Sequence, residues 1–271
     1  MKKVLVIGCG KMGSAIINGW LNKKIRLDIH VIDKQVKSKK LLVNKKVSFY
    51  RDFNTFNKSD VKLDFVLIAI KPQQISHIKE DLFQIYNNRI VCISIMAGVS
   101  TKWFKENIAK NMKIVRAMPN IPASVLKGVT GVFCSNNIDK KLLISIQNVM
   151  DCIGNVIFVK NEKLIDVITA ISGSGPAYFF YLTETLFKIG EQYGFTKSES
   201  KILATSTFLG SAGLLENINR EVSKLRKDVT SPGGTTEAAL KILMDKKTGL
   251  ESIMLKGINA AIKRAKELNY N

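Results

Sequence analysis

The stretch Val4-Leu5-Val6-Ile7-Gly8-Cys9-Gly10-Lys11-Met12-Gly13 decides how the chain folds. Its first four residues are all apolar, which is typical of a strand buried on both faces. The next six match G-x-G-x-x-G, and an amphipathic pattern, Ser14–Leu21, follows directly. In such a unit Gly8 allows a tight turn, Gly10 lets a pyrophosphate approach the backbone, and Gly13 lets the helix pack closely on the sheet. The sequence therefore predicts a dinucleotide bound at the helix N-terminus, where unpaired N–H groups favour negative charge.

Strand-like runs alternate with helical patterns along the first 160 residues. After the opening strand, the runs are Ile29–Ile32, Phe65–Ile70, Ile90–Ile95, Lys113–Ala117, Val129–Phe133 and Val156–Val159. Apolar residues between them recur at helical spacing, as in Ile75–Ile85. This alternation predicts an α/β fold with a doubly wound, mostly parallel sheet of the Rossmann type.

The pattern changes after about residue 160, where strand-like runs disappear. Long helical periods replace them: Pro176–Tyr193, Ser198–Glu216, Thr236–Met244 and Leu250–Leu268. We therefore predict a dinucleotide-binding domain over residues 1–160 and an all-helical domain over residues 161–271. Four apolar helices that do not fold back on one another leave much of their surface uncovered. We expect the helical domain to form at least a homodimer.

Composition excludes several classes of protein. The 271 residues are 46% hydrophobic and 24% charged, as in an ordinary globular chain and unlike a disordered one. No run approaches the about 18 apolar residues that a membrane span needs, and the apolar start ends at Gly8, too early for a signal peptide. We expect a cytoplasmic protein without a membrane partner. Four scattered cysteines and two histidines predict neither a disulfide framework nor a metal site.

The net charge of +20 raises the question of nucleic acid. Of the 42 basic residues 35 are Lys, whereas Arg is better suited to bidentate hydrogen bonds with base edges and phosphates. We interpret the charge as a solvated surface and expect no nucleic-acid partner. A nucleotide-sensing or basic nucleic-acid-associated binding module is the alternative from a different functional class.

The residues after the second strand point to two cofactors at once. Asp33 lies 20 residues beyond Gly13, where an acid accepts hydrogen bonds from the adenosine ribose of NAD and disfavours a 2′-phosphate. Four lysines follow, Lys34, Lys37, Lys39 and Lys40, and such a run is able to neutralise the 2′-phosphate of NADP. NADH and NADPH both remain open.

Four further stretches suggest a binding site. Ile70-Lys71-Pro72 and Arg116-Ala117-Met118-Pro119-Asn120 end strands at the sheet edge where open α/β folds bind ligands. Ala170–Tyr178 is interpreted as a loop of small residues with Pro176 at the first helical position. Asp228–Thr236 is likewise interpreted as a loop directly before a helix, which starts near Thr236. The hydroxyls and backbone amides of this loop suit a carboxylate.

Together these motifs closely resemble the pyrroline-5-carboxylate reductase family, end to end. The fingerprint is shared by many dehydrogenases, whereas Ser172-Gly173-Ser174-Gly175-Pro176-Ala177-Tyr178 and Asp228–Thr236 are specific to that family. The resemblance implies a Rossmann domain followed by a helical dimerisation domain. It also implies reduction of L-1-pyrroline-5-carboxylate to L-proline by NADPH or NADH, the last step of proline biosynthesis.

The resemblance also assigns roles to residues. Thr236 would hydrogen-bond the ring nitrogen of the substrate, while Ser231 and the amides of Gly234, Thr235 and Thr236 would hold its carboxylate. Asn120 would lie near the nicotinamide ribose or amide. The remaining cofactor residues would be Gly8, Gly10, Lys11, Met12 and Gly13 at the pyrophosphate, Asp33 and Lys34 at the adenosine ribose, and Ala69, Lys71 and Pro72 beside the nicotinamide.

A related reductase is the alternative within the same chemistry, either a hydroxyacid dehydrogenase or another imine reductase. Hydroxyacid dehydrogenases of similar plan place a lysine about four residues into the interdomain helix, where this chain has Ala177, Tyr178 and Phe179. One departure from the reductase family also matters. Many members carry a polar or Arg-containing segment for the 2′-phosphate where this chain has Asp33-Lys34.

Overall fold

An eight-stranded sheet organises the first part of the chain in a computed structural model that describes residues 1–34, 47–57, 59–135 and 138–268. The strand order is β3-β2-β1-β4-β5-β6-β7-β8, and every neighbouring pair is parallel except β6 and β7. The mostly parallel sheet predicted from sequence is confirmed. The strands are β1 (Lys2–Ile7), β2 (Leu27–Ile32), β3 (Val47–Tyr50), β4 (Phe65–Ile68), β5 (Val91–Ser94), β6 (Ile114–Met118), β7 (Gly128–Cys134) and β8 (Gly154–Val159).

Helices connect the strands and then make up the rest of the chain. Within the described residues they are α1 (Lys11–Asn22), α2 (Phe53–Asn57), α3 (Lys79–Ile85), α4 (Thr101–Asn107), α5 (Lys140–Met150), α6 (Lys163–Ile168), α7 (Gly175–Gln192), α8 (Lys197–Asn217), α9 (Val222–Asp228), α10 (Thr235–Leu243) and α11 (Leu250–Glu267). Short 3₁₀ turns lie at Pro72–Ile78, Ile121–Val125 and Asp151–Ile153.

The chain forms two compact units. The first comprises Met1–Ser174 together with Ala261–Asn271, and the second comprises Gly175–Ala260. The two compact units divide after Ser174, whereas the boundary predicted after residue 160 marks the change from strands to helices, since β8 ends at Val159. As a division of function, that boundary stays a prediction.

The sheet is buried on both faces, which is why its strands are continuously apolar. On one face Val4 and Val6 pack with Trp20 of α1 and Ile146 of α5. On the other face Leu5 and Ile7 join a cluster that includes Val66, Ile68 and Phe104. The alternation of β1 between the two clusters fixes its register at the centre of the sheet.

The structure adds elements that the sequence analysis did not predict. Strand β3 is short, lies at the sheet edge and is only partly buried, so its apolar pattern is weak. Helices α4, α5 and α9 were also not predicted. The lysines Lys37, Lys39 and Lys40 lie outside the described residues.

The expected loop over Ala170–Tyr178 was wrong. A π-helical turn over Thr169–Gly173 continues α6, and α7 begins at Gly175. Ser174 N–H donates to the Thr169 carbonyl at 2.8 Å, five residues back, as in a π turn. The hydroxyls of Thr169 and Ser172 donate to the carbonyls four residues before them, at 2.7 and 3.1 Å. These polar residues therefore bond within the helix rather than ending it.

In the parts of the chain that the structure describes, no helix has both the length and the apolar character that a bilayer crossing requires.

Trp20 anchors the fingerprint helix to the far end of the sheet. Its side chain is fully buried, and Nε1–H donates to the Val149 carbonyl at 2.7 Å. That carbonyl is among the last of α5, where no intrahelical amide follows to bond it. The indole therefore fixes α1 by both packing and a hydrogen bond.

We expect Trp20→Phe to lower the free energy of unfolding by about 2 kcal/mol, because it leaves a gap and removes the indole hydrogen bond, so that the Val149 carbonyl keeps only the weaker bond from the Cys152 thiol at 3.1 Å. Urea unfolding followed by far-ultraviolet circular dichroism measures the change. Trp103→Phe is the matched control, since Trp103 is 8% exposed and packs edge-on against Phe104. Equal losses for the two variants would remove the hydrogen bond from the explanation.

Candidate active site

The turn after β1 requires glycine at two positions. Gly8 has φ +92°, and a Cβ there would lie 2.8 Å from the Ala69 carbonyl oxygen. A Cβ at Gly13 would collide with the Gly8 carbonyl oxygen. The turn, the start of α1 and the end of β4 therefore approach one another at backbone distance.

Gly10 instead faces open space. A Cβ built at this residue would meet no heavy atom within 4 Å. Gly10 is the N-cap of α1, and neither a capping side chain nor an acidic residue in the first turn competes for the helix N–H groups. The Ser14 hydroxyl donates back to the Gly10 carbonyl at 2.8 Å. The exposed N–H groups of a twelve-residue helix thus form a site that fits a pyrophosphate.

Asp33 lies at the carboxyl end of β2 and is tied to the same turn. Its Oδ2 accepts the Cys9 N–H at 2.6 Å, and its own N–H donates to the Tyr50 carbonyl at 3.2 Å. Burial, with the Asp33 carboxylate nearby, raises the pKa of the Cys9 thiol to about 11. The carboxylate is therefore held in place beside the turn, and Cys9 is a neutral packing residue rather than a nucleophile.

A cleft of about 490 Å³ opens at this edge, where the chain changes direction between β2 on one side of β1 and β4 on the other. This is the position at which open α/β sheets bind ligands. Lys11 and Met12 form the first turn of α1 beside it, and Pro72 begins the 3₁₀ turn after β4. The cleft brings together six of the predicted cofactor residues: Gly8, Gly10, Asp33, Lys34, Ala69 and Lys71.

Sequence reasoning missed five polar residues of the cleft: Asp52, Asn54, Gln74, His77 and Asp81. Asp52 follows the unpredicted β3, so the only available signal was an acid after a short apolar run. Gln74 accepts the Lys71 N–H through Oε1 at 3.2 Å and shapes the wall after β4. Burial raises the pKa of Asp81, and the neighbouring Glu80 adds to that effect.

Asn120 lies after β6, and its amide bridges two parts of the first unit. Oδ1 accepts the Val129 N–H at 2.8 Å, and Nδ2 donates to the Ser172 carbonyl at 3.0 Å. The side chain is 8% exposed. The structure thus gives Asn120 a role in holding the π turn, while its expected place near the nicotinamide stays a prediction.

Arg116, four residues earlier, is the centre of a buried ionic cluster. Its Nη2 donates to Asp166 Oδ1 at 2.7 Å, and its Nη1 lies 3.5 Å from Glu162 Oε1. Glu162 in turn accepts the N–H and the hydroxyl of Thr101, at 2.8 and 2.6 Å. The cluster connects β6, α6 and the start of α4. Arg116 has a structural role, because its Nη1 and Nη2 both lie against carboxylates, while its buried Nε–H has no hydrogen-bond partner among the described residues.

The predicted substrate residues lie in the second unit, at the start of α10. Gly234 is the N-cap, and its N–H donates to the Ser231 carbonyl at 3.0 Å. Gly233 has φ +72°, and its N–H donates to Glu237 Oε2 at 2.8 Å. Thr235 and Thr236 begin the helix, and the Thr236 side chain is partly buried. The loop thus already binds one carboxylate of its own chain, that of Glu237.

The described residues include no group of three or more His, Cys, Asp or Glu side chains that is arranged to hold a metal ion.

Comparisons with known proteins identify the family of the chain. The family described as "Pyrroline-5-carboxylate reductase dimerisation" matches residues 162–268, and "NADP oxidoreductase coenzyme F420-dependent" matches residues 3–98. The pyrroline-5-carboxylate reductase of Pasteurella multocida is 32% identical over 98% of this chain and 98% of its own. The chain belongs to the pyrroline-5-carboxylate reductase family. The motif resemblance found in the sequence is thereby confirmed.

Two further relatives extend the match to pyrroline-5-carboxylate reductases of known structure. The reductase of Coxiella burnetii is 35% identical, with a TM-score of 0.90 over 99% of this chain and 98% of that one. The pyrroline carboxylate reductase of Plasmodium falciparum, whose structure has NADP bound, is 26% identical, with a TM-score of 0.80 over 99% and 98%. The fold and its order of elements are thus shared along the whole chain.

We expect Asp166→Ala to lower the free energy of unfolding by about 3 kcal/mol, because it leaves the Arg116 charge buried beside a weaker partner. Thermal and urea unfolding measure the effect. Glu106→Ala is the control: Glu106 forms an exposed pair with Lys102 at 3.6 Å, and its removal should cost at most about 0.5 kcal/mol. Similar values for the two variants would show that the cluster contributes little.

Proposed function

We propose that the protein reduces L-1-pyrroline-5-carboxylate to L-proline with NADPH or NADH, the last step of proline biosynthesis. The observation that carries this proposal is the open N-terminus of α1 at Gly10, which leads into the cleft beside Asp33 in a chain of this family. The reduced nicotinamide, when bound, supplies a hydride for the C=N carbon of the substrate.

The first unit is proposed to hold and orient the cofactor. The N–H groups at Gly10, Lys11 and Met12 would bind the pyrophosphate, with Gly8 and Gly13 allowing the close approach. Asp33 and Lys34 would lie at the adenosine ribose. The nicotinamide side would be formed by Ala69, Lys71 and Pro72, with Asn120 near its ribose or amide.

The second unit is proposed to hold the substrate. The amides of Gly234, Thr235 and Thr236 and the Ser231 hydroxyl would bind the carboxylate. Because the Gly234 N–H already donates to the Ser231 carbonyl, the Thr235 and Thr236 amides at the start of α10 would contribute most. The partial positive charge of the helix N-terminus adds to their attraction.

Thr236 is proposed as the catalytic residue. A protonated cyclic imine is already electrophilic at carbon, so the enzyme needs alignment rather than a strong base. The Thr236 hydroxyl would accept a hydrogen bond from the ring N–H and hold the C=N carbon in place. No nucleophile or metal is required by this chemistry.

We propose further that the protein is a homodimer, or a larger assembly of dimers, built through residues 161–271, and that it works in the cytoplasm. Large apolar side chains on α7 and α8 support the assembly: Phe180 is 62%, Tyr181 68% and Leu209 66% exposed in the single chain. A second copy would cover this surface.

The purified protein should oxidise reduced nicotinamide when pyrroline-5-carboxylate is added. Loss of absorbance of the reduced cofactor measures the rate, with NADPH and NADH assayed separately. A hydroxyacid in place of the imine, with oxidised cofactor, tests the related dehydrogenase activity. Turnover of the hydroxyacid alone would contradict the proposal.

We expect Thr236→Val to lower kcat/KM by about 10²-fold, or about 2.7 kcal/mol, because it removes one aligned polar contact without changing shape. Thr205→Val is the control: Thr205 is also partly buried, and its hydroxyl donates only to the Lys201 carbonyl within α8, at 2.7 Å. Unchanged kinetics in Thr236→Val would exclude Thr236 from the mechanism.

Sedimentation at micromolar concentration should show a dimer or larger species. Tyr181→Lys and Leu209→Lys should shift the assembly toward monomer, since each places a charge on the exposed apolar surface. A monomeric wild-type chain would contradict the proposed assembly.

A further inference from the structure

The cleft beside Asp33 carries more negative charge than its fingerprint residue alone provides. Asp33 at the end of β2, Asp52 after β3 and Asp81 in α3 all line it. They come from three separate elements that meet at the carboxyl edge of the sheet. An acid at the end of the second strand is placed to accept hydrogen bonds from the adenosine ribose. Asp52 and Asp81 both interact with the charge of Lys34, the residue after Asp33, which assigns all three carboxylates to the adenosine end.

Two of these carboxylates are fixed in place by hydrogen bonds. Asp33 Oδ2 accepts the Cys9 N–H at 2.6 Å. Asp52 Oδ1 accepts the N–H and the hydroxyl of Thr55, at 2.8 and 2.7 Å, and these bonds lower the pKa of Asp52. Asp52 is therefore charged at neutral pH. The hydrogen bonds keep both carboxylates from turning away freely.

The pKa of Asp81 is shifted by burial and by the charged groups around the cleft. Burial raises its pKa, and the charges of Glu80 and Asp52 act in the same direction, whereas Lys34 opposes them. The positive charge of Lys34 also acts on Asp52 and lowers its pKa. Lys34 is therefore attracted by two carboxylates, which weakens its pull on any incoming anion.

We propose that this chain selects NADH over NADPH because Asp33, Asp52 and Asp81 would face the 2′-phosphate of NADPH. A phosphate monoester carries about −1.5 to −2 charges at pH 7, and placing it beside carboxylates is unfavourable. A ribose with two free hydroxyls instead donates hydrogen bonds to Asp33. The selection is a property of this chain, since a relative from Plasmodium falciparum has NADP bound.

The inference rests on the proposed function, and direct binding separates the two. Isothermal titration calorimetry of the full chain with NAD⁺ and with NADP⁺ gives a Kd for each without any turnover. We expect NAD⁺ to bind at least about tenfold more tightly. Equal binding, or tighter binding of NADP⁺, overturns the inference and leaves the proposed function standing, whereas absence of binding by both overturns the two together.

Substitutions then test the carboxylates one by one. Asp33→Asn keeps an acceptor for the Cys9 N–H, and Asp52→Asn keeps one for Thr55, while each removes a charge. We expect Asp33→Asn, Asp52→Asn and Asp81→Asn each to narrow the ratio of the two Kd values by about threefold or more, and the triple variant to abolish it. Because the readout is a ratio, partial loss of folded protein does not change it.

Asp139→Asn is the matched control. Asp139 caps α5 by accepting the Leu142 N–H at 2.8 Å, as Asp52 caps α2, and it lies outside the lining of the cleft. The control removes the same charge and should leave the ratio unchanged. A control that narrows the ratio as much as Asp52→Asn would overturn the inference, because net charge alone would then explain the selection. The inference is also overturned if none of the three cleft variants changes the ratio of the two Kd values.

Discussion

The close approach of Gly13 to the Gly8 carbonyl is the contact on which the rest of the first unit depends. Because no side chain separates them, α1 starts directly against the turn and the end of β4. That placement points the first N–H groups of α1 at the cleft and leaves Gly10 open to it. Any larger residue would push the helix away from the sheet and remove the N–H groups from reach of a phosphate.

The cleft separates two electrical environments over a short distance. Unpaired N–H groups and the helix dipole favour anions at Gly10. Carboxylates occupy the other end, where Asp33 is bonded to the Cys9 N–H of the same turn. In the proposed cofactor complex, one turn of chain therefore positions both an attraction for the pyrophosphate and a repulsion for any additional phosphate, so binding and discrimination would depend on the same backbone.

Local patterns predicted the features that depend on local chemistry. The fingerprint, the buried strands and the long helices follow from spacing and apolar runs, and Asp33 follows from its distance to Gly13. Asp52 and Asp81 were missed because they reach the cleft through tertiary contacts from a weakly patterned edge strand and an ordinary helix. Small and hydroxyl residues favour both a loop and a π turn, so the sequence alone predicts a loop at this point. The hydrogen bonds of Thr169 and Ser172 to earlier carbonyls favour the π turn instead. The roles of the substrate residues came from family resemblance and stay predictions.

The hydrogen bond from Trp20 to Val149 joins residues 129 positions apart in the chain. Gly19 likewise packs directly on the Cys152 carbonyl. During synthesis, the first strand–turn–helix unit emerges long before these partners do, and closing so long a loop is slow compared with forming a helix. Helix α1 is therefore among the earliest segments to be made, yet its contacts with Val149 and Cys152 form only later, and the nascent chain exposes the apolar face of this helix until more than half of the protein has been synthesised.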